Sequence, residues 1–113
     1  MERMITKMNV PVQEIIDEAV RRIVSESHPI KIILFGSAAR GNMGPNSDLD
    51  FLIVMPDGIH RRSTAQNLAR VLFDLGMPKD IIVVTESDIE NYGSNPSLVI
   101  APALEEGKEL YYA

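Results

Sequence analysis

The stretch that decides the fold is Ile30–Met55, which reads IKIILFGSAARGNMGPNSDLDFLIVM. Its apolar runs, 30–35 and 51–55, are too short for buried helices, rich in Ile, Leu, Val and Phe, and bounded by Gly, Pro or Asn. They therefore predict two buried β-strands. Asp48 and Asp50 precede the second run and stand two positions apart. On a strand, their side chains leave the same face and lie within reach of one ion.

Two carboxylates on one face of an apolar strand need a counter-charge. Unit charges about 4 Å apart repel by roughly 4 kcal/mol at an effective dielectric near 20, before any desolvation cost. Carboxylate oxygens of this kind suit Mg2+ or Mn2+. Gly36 and Ser37 end the first strand as a small-residue turn, whose backbone N–H groups and hydroxyl can face a phosphate. The stretch therefore predicts a nucleotide site with a phosphate cradle opposite a metal pair.

The flanking sequence predicts helices and two further strands. Apolar residues recur at helical spacing from Pro11 to about Ser25, which predicts an amphipathic helix covering one face of the sheet. Ser63 and Gln66 fit a capping box, which predicts a second helix over about 64–75. A third strand is predicted at 80–85 and a short helix at 87–92. A further helix is predicted to be capped at 95–96, interrupted at Pro102 and ended by Gly107. An edge strand is predicted at 108–112.

The connections between the strands determine their directions. If Gly36 at the end of the first strand faces Asp48 across a short connection, the first two strands run antiparallel. The helix between the second and third strands predicts a right-handed crossover, so these two strands run parallel. Asp80, at the start of the third strand, then stands level with Asp48 and Asp50. By itself Asp80 fits a strand-entry residue equally well; the topology favours a place in the site.

Composition limits the class of protein. With 113 residues, 45% of them hydrophobic and 24% charged, the chain is expected to form one domain, residues 1–113. The formal charge of −5 argues against a dedicated nucleic-acid binder, which normally carries a basic face. No cysteine is present, so disulfides and thiolate metal sites are excluded. Without a signal-like or membrane-spanning apolar run, we expect a cytoplasmic protein.

The motif resembles that of a known superfamily. Gly36-Ser37, ten residues and Asp48-x-Asp50 resemble the signature of the polymerase beta-like nucleotidyltransferases, and GSAARG at 36–41 with SDLD at 47–50 is most similar to their minimal, MNT-type branch. The resemblance covers at least 30–85. It implies an α/β (α+β) fold, with a small mixed β-sheet covered by helices, forming a single nucleotidyltransferase domain.

The resemblance also implies a reaction. A nucleoside monophosphate passes from a nucleoside triphosphate to a hydroxyl, pyrophosphate leaves, and two Mg2+ or Mn2+ ions serve the entering and leaving oxygens. The implied catalytic and metal-binding residues are Asp48, Asp50 and Asp80, and the implied phosphate-binding residues are Gly36, Ser37 and Arg40. Asp80 would bind the ion nearer the acceptor and help to deprotonate its hydroxyl. Ser37 fits a helix cap equally well, and Arg40 fits a partner for a nearby acid.

The acceptor is the open question. The given sequence ends 63 residues after Asp50, so the acceptor platform is expected from a homodimer or from another protein. MNT-type proteins include antitoxins that add AMP to a tyrosine of HEPN-family ribonuclease toxins, which implies ATP as substrate and a HEPN-type partner. A second hypothesis is a non-catalytic binding module that neutralises its partner by contact alone. A third, adenylylation of a small molecule, needs a pocket that this chain is too short to enclose.

Overall fold

A computed structural model describes residues 11–36, 38–39, 41, 48–92 and 100–113. The elements in chain order are α1 (Val12–Ser27), β1 (Lys31–Phe35), β2 (Leu49–Met55), α2 (Arg61–Val71), a 3-10 turn (Phe73–Leu75), β3 (Lys79–Thr85), α3 (Glu86–Tyr92), α4 (Ile100–Glu106) and β4 (Lys108–Tyr112). In the described ranges, no helix combines the length and the apolar character that crossing a bilayer requires.

The four strands form one mixed sheet in the order β3-β2-β1-β4. The predicted directions are confirmed: β1 and β2 are antiparallel, and β2 and β3 are parallel. The predicted edge strand is also confirmed, since β4 pairs antiparallel with β1. The fold is therefore the expected α/β (α+β) architecture, a small mixed sheet covered by helices.

Strand β2 lies at the centre of the core because both of its faces are covered. Phe51 and Ile53 belong to the larger cluster, which α1 and α2 complete. Leu52 and Val54 belong to a smaller cluster on the opposite face, which includes Ala103 of α4. All four β2 side chains are buried, and each contributes about 1.5–3 kcal/mol of burial free energy. This double coverage explains why β2 is a continuous apolar run and not an alternating one.

Helix α1 forms as its periodicity predicts and ends two residues later than expected. Its apolar stripe is buried against the sheet and includes Ile16, Ala19 and Ile23. The helix ends where His28 adopts a left-handed conformation, with φ 49°, and its N–H donates to the Val24 carbonyl at 3.0 Å. This is a standard helix end made here by a residue other than glycine.

The predicted start of α2 was wrong. The helix begins at Arg61, so Ser63 lies inside its first turn instead of capping it. His60 is the cap: its backbone is extended, and its Nδ1 accepts a hydrogen bond from the Ser63 N–H at 3.1 Å. The imidazole thus accepts the hydrogen bond from the backbone amide that the side chain of a capping Ser or Asp normally accepts. At the other end, a 3-10 turn and Gly76 in a left-handed conformation close the segment.

The predicted interruption at Pro102 was also wrong. Helix α4 runs through Pro102, which lies in its first turn, where a missing N–H removes no helical hydrogen bond. Gly107 ends the helix as predicted, with its N–H donating to the Ala103 carbonyl at 2.9 Å. The short helix predicted at 87–92 is confirmed as α3. The cap predicted at 95–96 lies outside the described residues.

Candidate active site

The site begins where β1 ends. Phe35 pairs with Asp50 in the antiparallel ladder, and the next residue, Gly36, turns the chain with φ 75°. A Cβ at position 36 would overlap Oδ2 of Asp50 and lie 3.4 Å from its Cγ. Glycine is therefore required at position 36 for two reasons: the backbone is left-handed, and a carboxylate lies against it.

A second carboxylate lies beside Asp50 on the other side. In the parallel ladder of β2 and β3, Asp50 stands opposite Asp80. Asp48 immediately precedes β2, and both it and Asp80 are exposed, whereas Asp50 is half-buried. Because strand residues two apart share a face, Asp50 lies on the side of Leu52 and the smaller core cluster. The fold thus brings the three predicted acids to one end of the sheet, next to Gly36.

The three acids interact unfavourably as anions. Burial raises the pKa of Asp50, and the neighbouring charges of Asp80 and Asp48, together with a hydrogen bond involving Asp80, raise it further. Within the described ranges, no Lys or Arg forms an ion pair with any of the three. The local field therefore favours a bound cation or proton at Asp50.

The arrangement fits a cation that takes part of its coordination from elsewhere. No group of three or more His, Cys, Asp or Glu side chains in the described part of the chain forms a complete metal site. The close carboxylate pair is Asp50 and Asp80, with Asp48 near enough to act through its charge. Mg2+ is commonly held by one or two carboxylates together with substrate phosphates and water. The carboxylates of Asp50 and Asp80 are an incomplete ligand set, and the pKa of Asp50 is raised. Both features are compatible with a cation that is also held by substrate phosphates and water.

Two predicted phosphate-binding residues, Ser37 and Arg40, lie outside the described residues. Lys79 is the basic residue nearest to Asp80 in sequence, but its ammonium donates to the Met77 carbonyl. Burial lowers the pKa of Lys79, and the charged groups that act on it are Asp74 and Arg22. The side chain of Lys79 therefore lies on the face of the sheet opposite to the carboxylates.

One feature beside the site was missed by sequence reasoning. The run 80–85 predicts a third strand but not its place in the sheet; β3 is an edge strand, with Ile81 and Ile82 only half-buried. The apolar side chains are explained by α2, which packs on one face of β3, and α3, which contacts it on the other. No signal in the run itself distinguishes an edge strand covered on both faces from a central one.

The chain belongs to the nucleotidyltransferase domain family, whose model matches residues 15–109. This range contains Gly36, Asp48, Asp50 and Asp80. The match identifies the class of protein that this sheet and its carboxylates represent.

Solved structures show the same fold. A Sulfolobus solfataricus protein described as a nucleotidyltransferase aligns with a TM-score of 0.58 at 18% identity, covering 88% of this chain and 78% of that one. A toxin-antitoxin structure with AMP-PNP aligns with a TM-score of 0.55 at 24% identity, covering 86% and 73%. A MntA-HpeT toxin-antitoxin variant with two aspartate-to-glutamate changes gives 0.53 at 22% identity, covering 86% and 73%. No curated protein matches this chain.

Proposed function

We propose that this chain is an antitoxin that transfers AMP from ATP to a hydroxyl of a protein acceptor, specifically a tyrosine of a HEPN-type toxin. The observation that carries the chemistry is the close set of Gly36, Asp50 and Asp80, with Asp48 beside it. Family membership supports nucleotidyl transfer. Metal dependence, the protein acceptor and action in the cytoplasm are parts of the proposal.

The carboxylates in this proposal hold the reacting groups in position. Asp48, Asp50 and Asp80 would hold two divalent cations, Mg2+ or Mn2+, which supply charge stabilisation to the entering and leaving oxygens. Asp50 is suited to this role because burial and its acidic neighbours leave its charge uncompensated. Gly36 leaves room for the carboxylate beside the turn, where Ser37 and Arg40 would complete a cradle for the terminal phosphates.

The proposed transfer exchanges one phosphate ester bond for another. The acceptor hydroxyl oxygen bonds to the α-phosphorus, the bond from that phosphorus to the oxygen bridging to the β-phosphate breaks, and pyrophosphate leaves. The hydroxyl proton passes to Asp80. Because Asp80 is exposed, its carboxyl can return that proton to solvent.

The structural relatives support a toxin as the acceptor. Two of them are toxin-antitoxin structures, one containing the ATP analogue AMP-PNP. In the other, the two replaced aspartates stand two positions apart, as Asp48 and Asp50 do here. A MntA-HpeT variant with a tyrosine-to-alanine change also aligns, with a TM-score of 0.54 at 22% identity, covering 86% of this chain and 72% of that one. These features favour a tyrosine-bearing toxin over a small-molecule acceptor.

The test uses ATP labelled at the α-phosphate, Mg2+ and the protein encoded in the adjacent reading frame, which the proposal expects to be of HEPN type. The expected result is label on that protein, and none when ATP carries the label at the γ-phosphate. Asp48→Ala should abolish labelling, whereas Asp57→Asn, an acid at the opposite end of the sheet, should leave it unchanged.

Two results would contradict the proposal. Transfer of the γ-phosphate label would indicate a kinase. Neutralisation of the partner without labelling, with Asp48→Ala as effective as the wild-type chain and no heat of ATP·Mg2+ binding in calorimetry, would indicate the non-catalytic binding module.

A further inference from the structure

The two edges of the sheet are built differently. Strand β4 spans five residues, exposes Lys108 and Glu109, and its ladder with β1 shifts register between Ile32 and Ile33. Charges and irregular register are the usual means of preventing an edge strand from pairing with another chain. Strand β3 spans seven residues, stays in register with β2 throughout, and carries no charge from Ile81 to Thr85. Within the described ranges, β4 has both features, whereas β3 carries charge only where it begins, at Lys79 and Asp80.

The outward backbone groups of β3 can be assigned from its ladder. Leu49 N–H donates to the Pro78 carbonyl at 3.0 Å. In a parallel pair, backbone groups then alternate in direction, so residues 80, 82 and 84 bond to β2, and Ile81 and Val83 direct their N–H and C=O outward. Within the described ranges, β3 pairs with β2 alone. No described residue outside β2 pairs with β3, so the outward groups of Ile81 and Val83 can pair with an added strand.

This free edge adjoins the carboxylates. On the β1 side, the approach to Asp50 is closed by the turn at Gly36, which lies in contact with the carboxylate. On the other side stands Asp80, which is exposed and belongs to the edge strand itself. A strand paired to β3 would lie about 4.8 Å beyond it and would carry one side chain directly beside Asp80. That is the position from which an acceptor hydroxyl can reach the site.

We infer that the protein acceptor pairs an extended segment with the outer edge of β3, as a fifth strand, and thereby presents its hydroxyl to Asp80. This inference rests on the proposed nucleotidyl transfer. Main-chain hydrogen bonds to Ile81 and Val83 would supply affinity without demanding a sequence, and the side chains would supply specificity. The pairing explains how a small domain holds a macromolecular acceptor beside its carboxylates.

The chemistry of the segment follows from the strand period. The hydroxyl side chain lies on the carboxylate face, and the residue two positions away lies beside Ile82 on that same face. Since Ile82 is apolar and half-buried, that residue is expected to be apolar. Basic residues near the hydroxyl would complement Asp48, Asp50 and Asp80. The acceptor is therefore an extended, basic segment with a hydroxyl residue and an apolar residue two positions apart.

Amide hydrogen exchange resolved by residue tests the pairing directly. In the free chain, the amides of Ile81 and Val83 should exchange quickly, and those of Ile82 and Val84, which donate to β2, should exchange slowly. On adding the protein tested as acceptor in the labelling assay, exchange at Ile81 and Val83 should slow about tenfold or more, with little change at Ile82 and Val84.

A pair of substitutions separates pairing from folding. Val83→Pro removes the outward N–H and places a ring in the path of an added strand, and should weaken the complex by about 10- to 100-fold. Val83→Ala is the matched control: it loses comparable side-chain packing but keeps the N–H, and should bind normally. Both variants should bind ATP·Mg2+ as the wild-type chain does in calorimetry, which shows that each has folded.

The outcomes separate this inference from the proposed function. Labelling of the acceptor without slowed exchange at Ile81 and Val83 would overturn the edge pairing and leave the transferase intact. Slowed exchange without labelling would support the pairing and overturn the catalytic proposal. If the free chain already protects these amides in a concentration-dependent way, a second copy occupies the edge and the inference fails. Equal binding by Val83→Pro and Val83→Ala would also overturn it.

Discussion

The two ends of the central strands carry acids in opposite circumstances. At the end where β2 and β3 begin, Asp50 lies between acidic neighbours, and burial with their charges raises its pKa. At the end where these strands finish, Asp57 accepts hydrogen bonds from the Ser87 N–H at 3.0 Å and the Ser87 hydroxyl at 2.6 Å, which lower its pKa. The same residue type is a source of repulsion at one end and of stabilisation at the other.

Asp88 shows how completely the far end is paired. It accepts from the Thr85 N–H at 2.9 Å and from Arg61 at 3.0 Å, and its own N–H donates to the Thr85 hydroxyl at 3.2 Å. This reciprocal arrangement caps α3 and ties it to the first turn of α2. The far end thus stabilises the free protein. At the carboxylate end, no Lys or Arg within the described ranges pairs with the acids, and in the proposed function a bound cation would supply the counter-charge. We infer that binding, not folding, accounts for the acids there.

The largest expected effect is at Asp50. Replacing Asp50 with Asn keeps the shape but removes the charge, so nucleotidyl transfer should fall by about 10³-fold or more. Because the substitution also relieves repulsion from Asp80 and Asp48, the unliganded variant should melt at the same temperature as the wild-type chain or higher. Activity and melting temperature measured on one preparation check both statements. A variant that loses activity and stability together would contradict the comparison.

The next effect concerns the glycine beside the carboxylate. Gly36→Ala places a methyl group against Asp50 in a left-handed backbone, and should cost about 1–3 kcal/mol of unfolding free energy as well as activity. Gly58→Ala is the matched control at the far end: its φ is 95°, but nothing lies within 4 Å of the added methyl. Gly58→Ala should lose only the unfolding free energy that a left-handed backbone costs an alanine, and it should retain activity. Urea unfolding and the α-phosphate labelling assay measure the two effects.

A smaller effect is expected from the paired acid at the far end. Asp88→Ala removes the cap of α3 and the contact with Arg61, and should lower the unfolding free energy by about 1 kcal/mol. Labelling of the acceptor by the folded variant should be unchanged. Loss of labelling in a folded Asp88→Ala protein would show that the far end takes part in function.

The smallest effect is in the pH dependence of stability. Ser87 lowers the pKa of Asp57 in the folded chain, so its stabilisation is present above the unfolded-state pKa, near 3.8, and is lost as pH falls through the folded value. Asp57→Asn should therefore be less stable than the wild-type chain at pH 7, and the difference should vanish once the pH falls below the folded-state pKa of Asp57. The pKa of Asp50 is raised in the folded chain, so its effect on the free energy of unfolding has the opposite sign: stability falls as the pH rises above 3.8. Urea unfolding across this range tests both signs.

Much of this architecture follows from local patterns. The short apolar runs predicted β1 and β2, the helical period predicted α1, and the need for Gly36 to face Asp48 predicted antiparallel strands. The start of α2 was predicted wrongly because a capping histidine, His60, replaced the expected serine. Pro102 was predicted to interrupt a helix that starts near 95–96. Because α4 starts at Ile100, Pro102 lies in its first turn, where proline is tolerated.

The sequence by itself determined the candidate residues: a glycine turn and three acids whose order and spacing resemble a nucleotidyltransferase signature. Tertiary structure decided what surrounds them. It alone sets Asp50 against Gly36, places Asp80 on the edge strand of the described sheet, and gives the acids at the far end their partners. The physical reason is that side-chain period and spacing act within one strand, whereas register, edge position and charge compensation arise between strands distant in sequence.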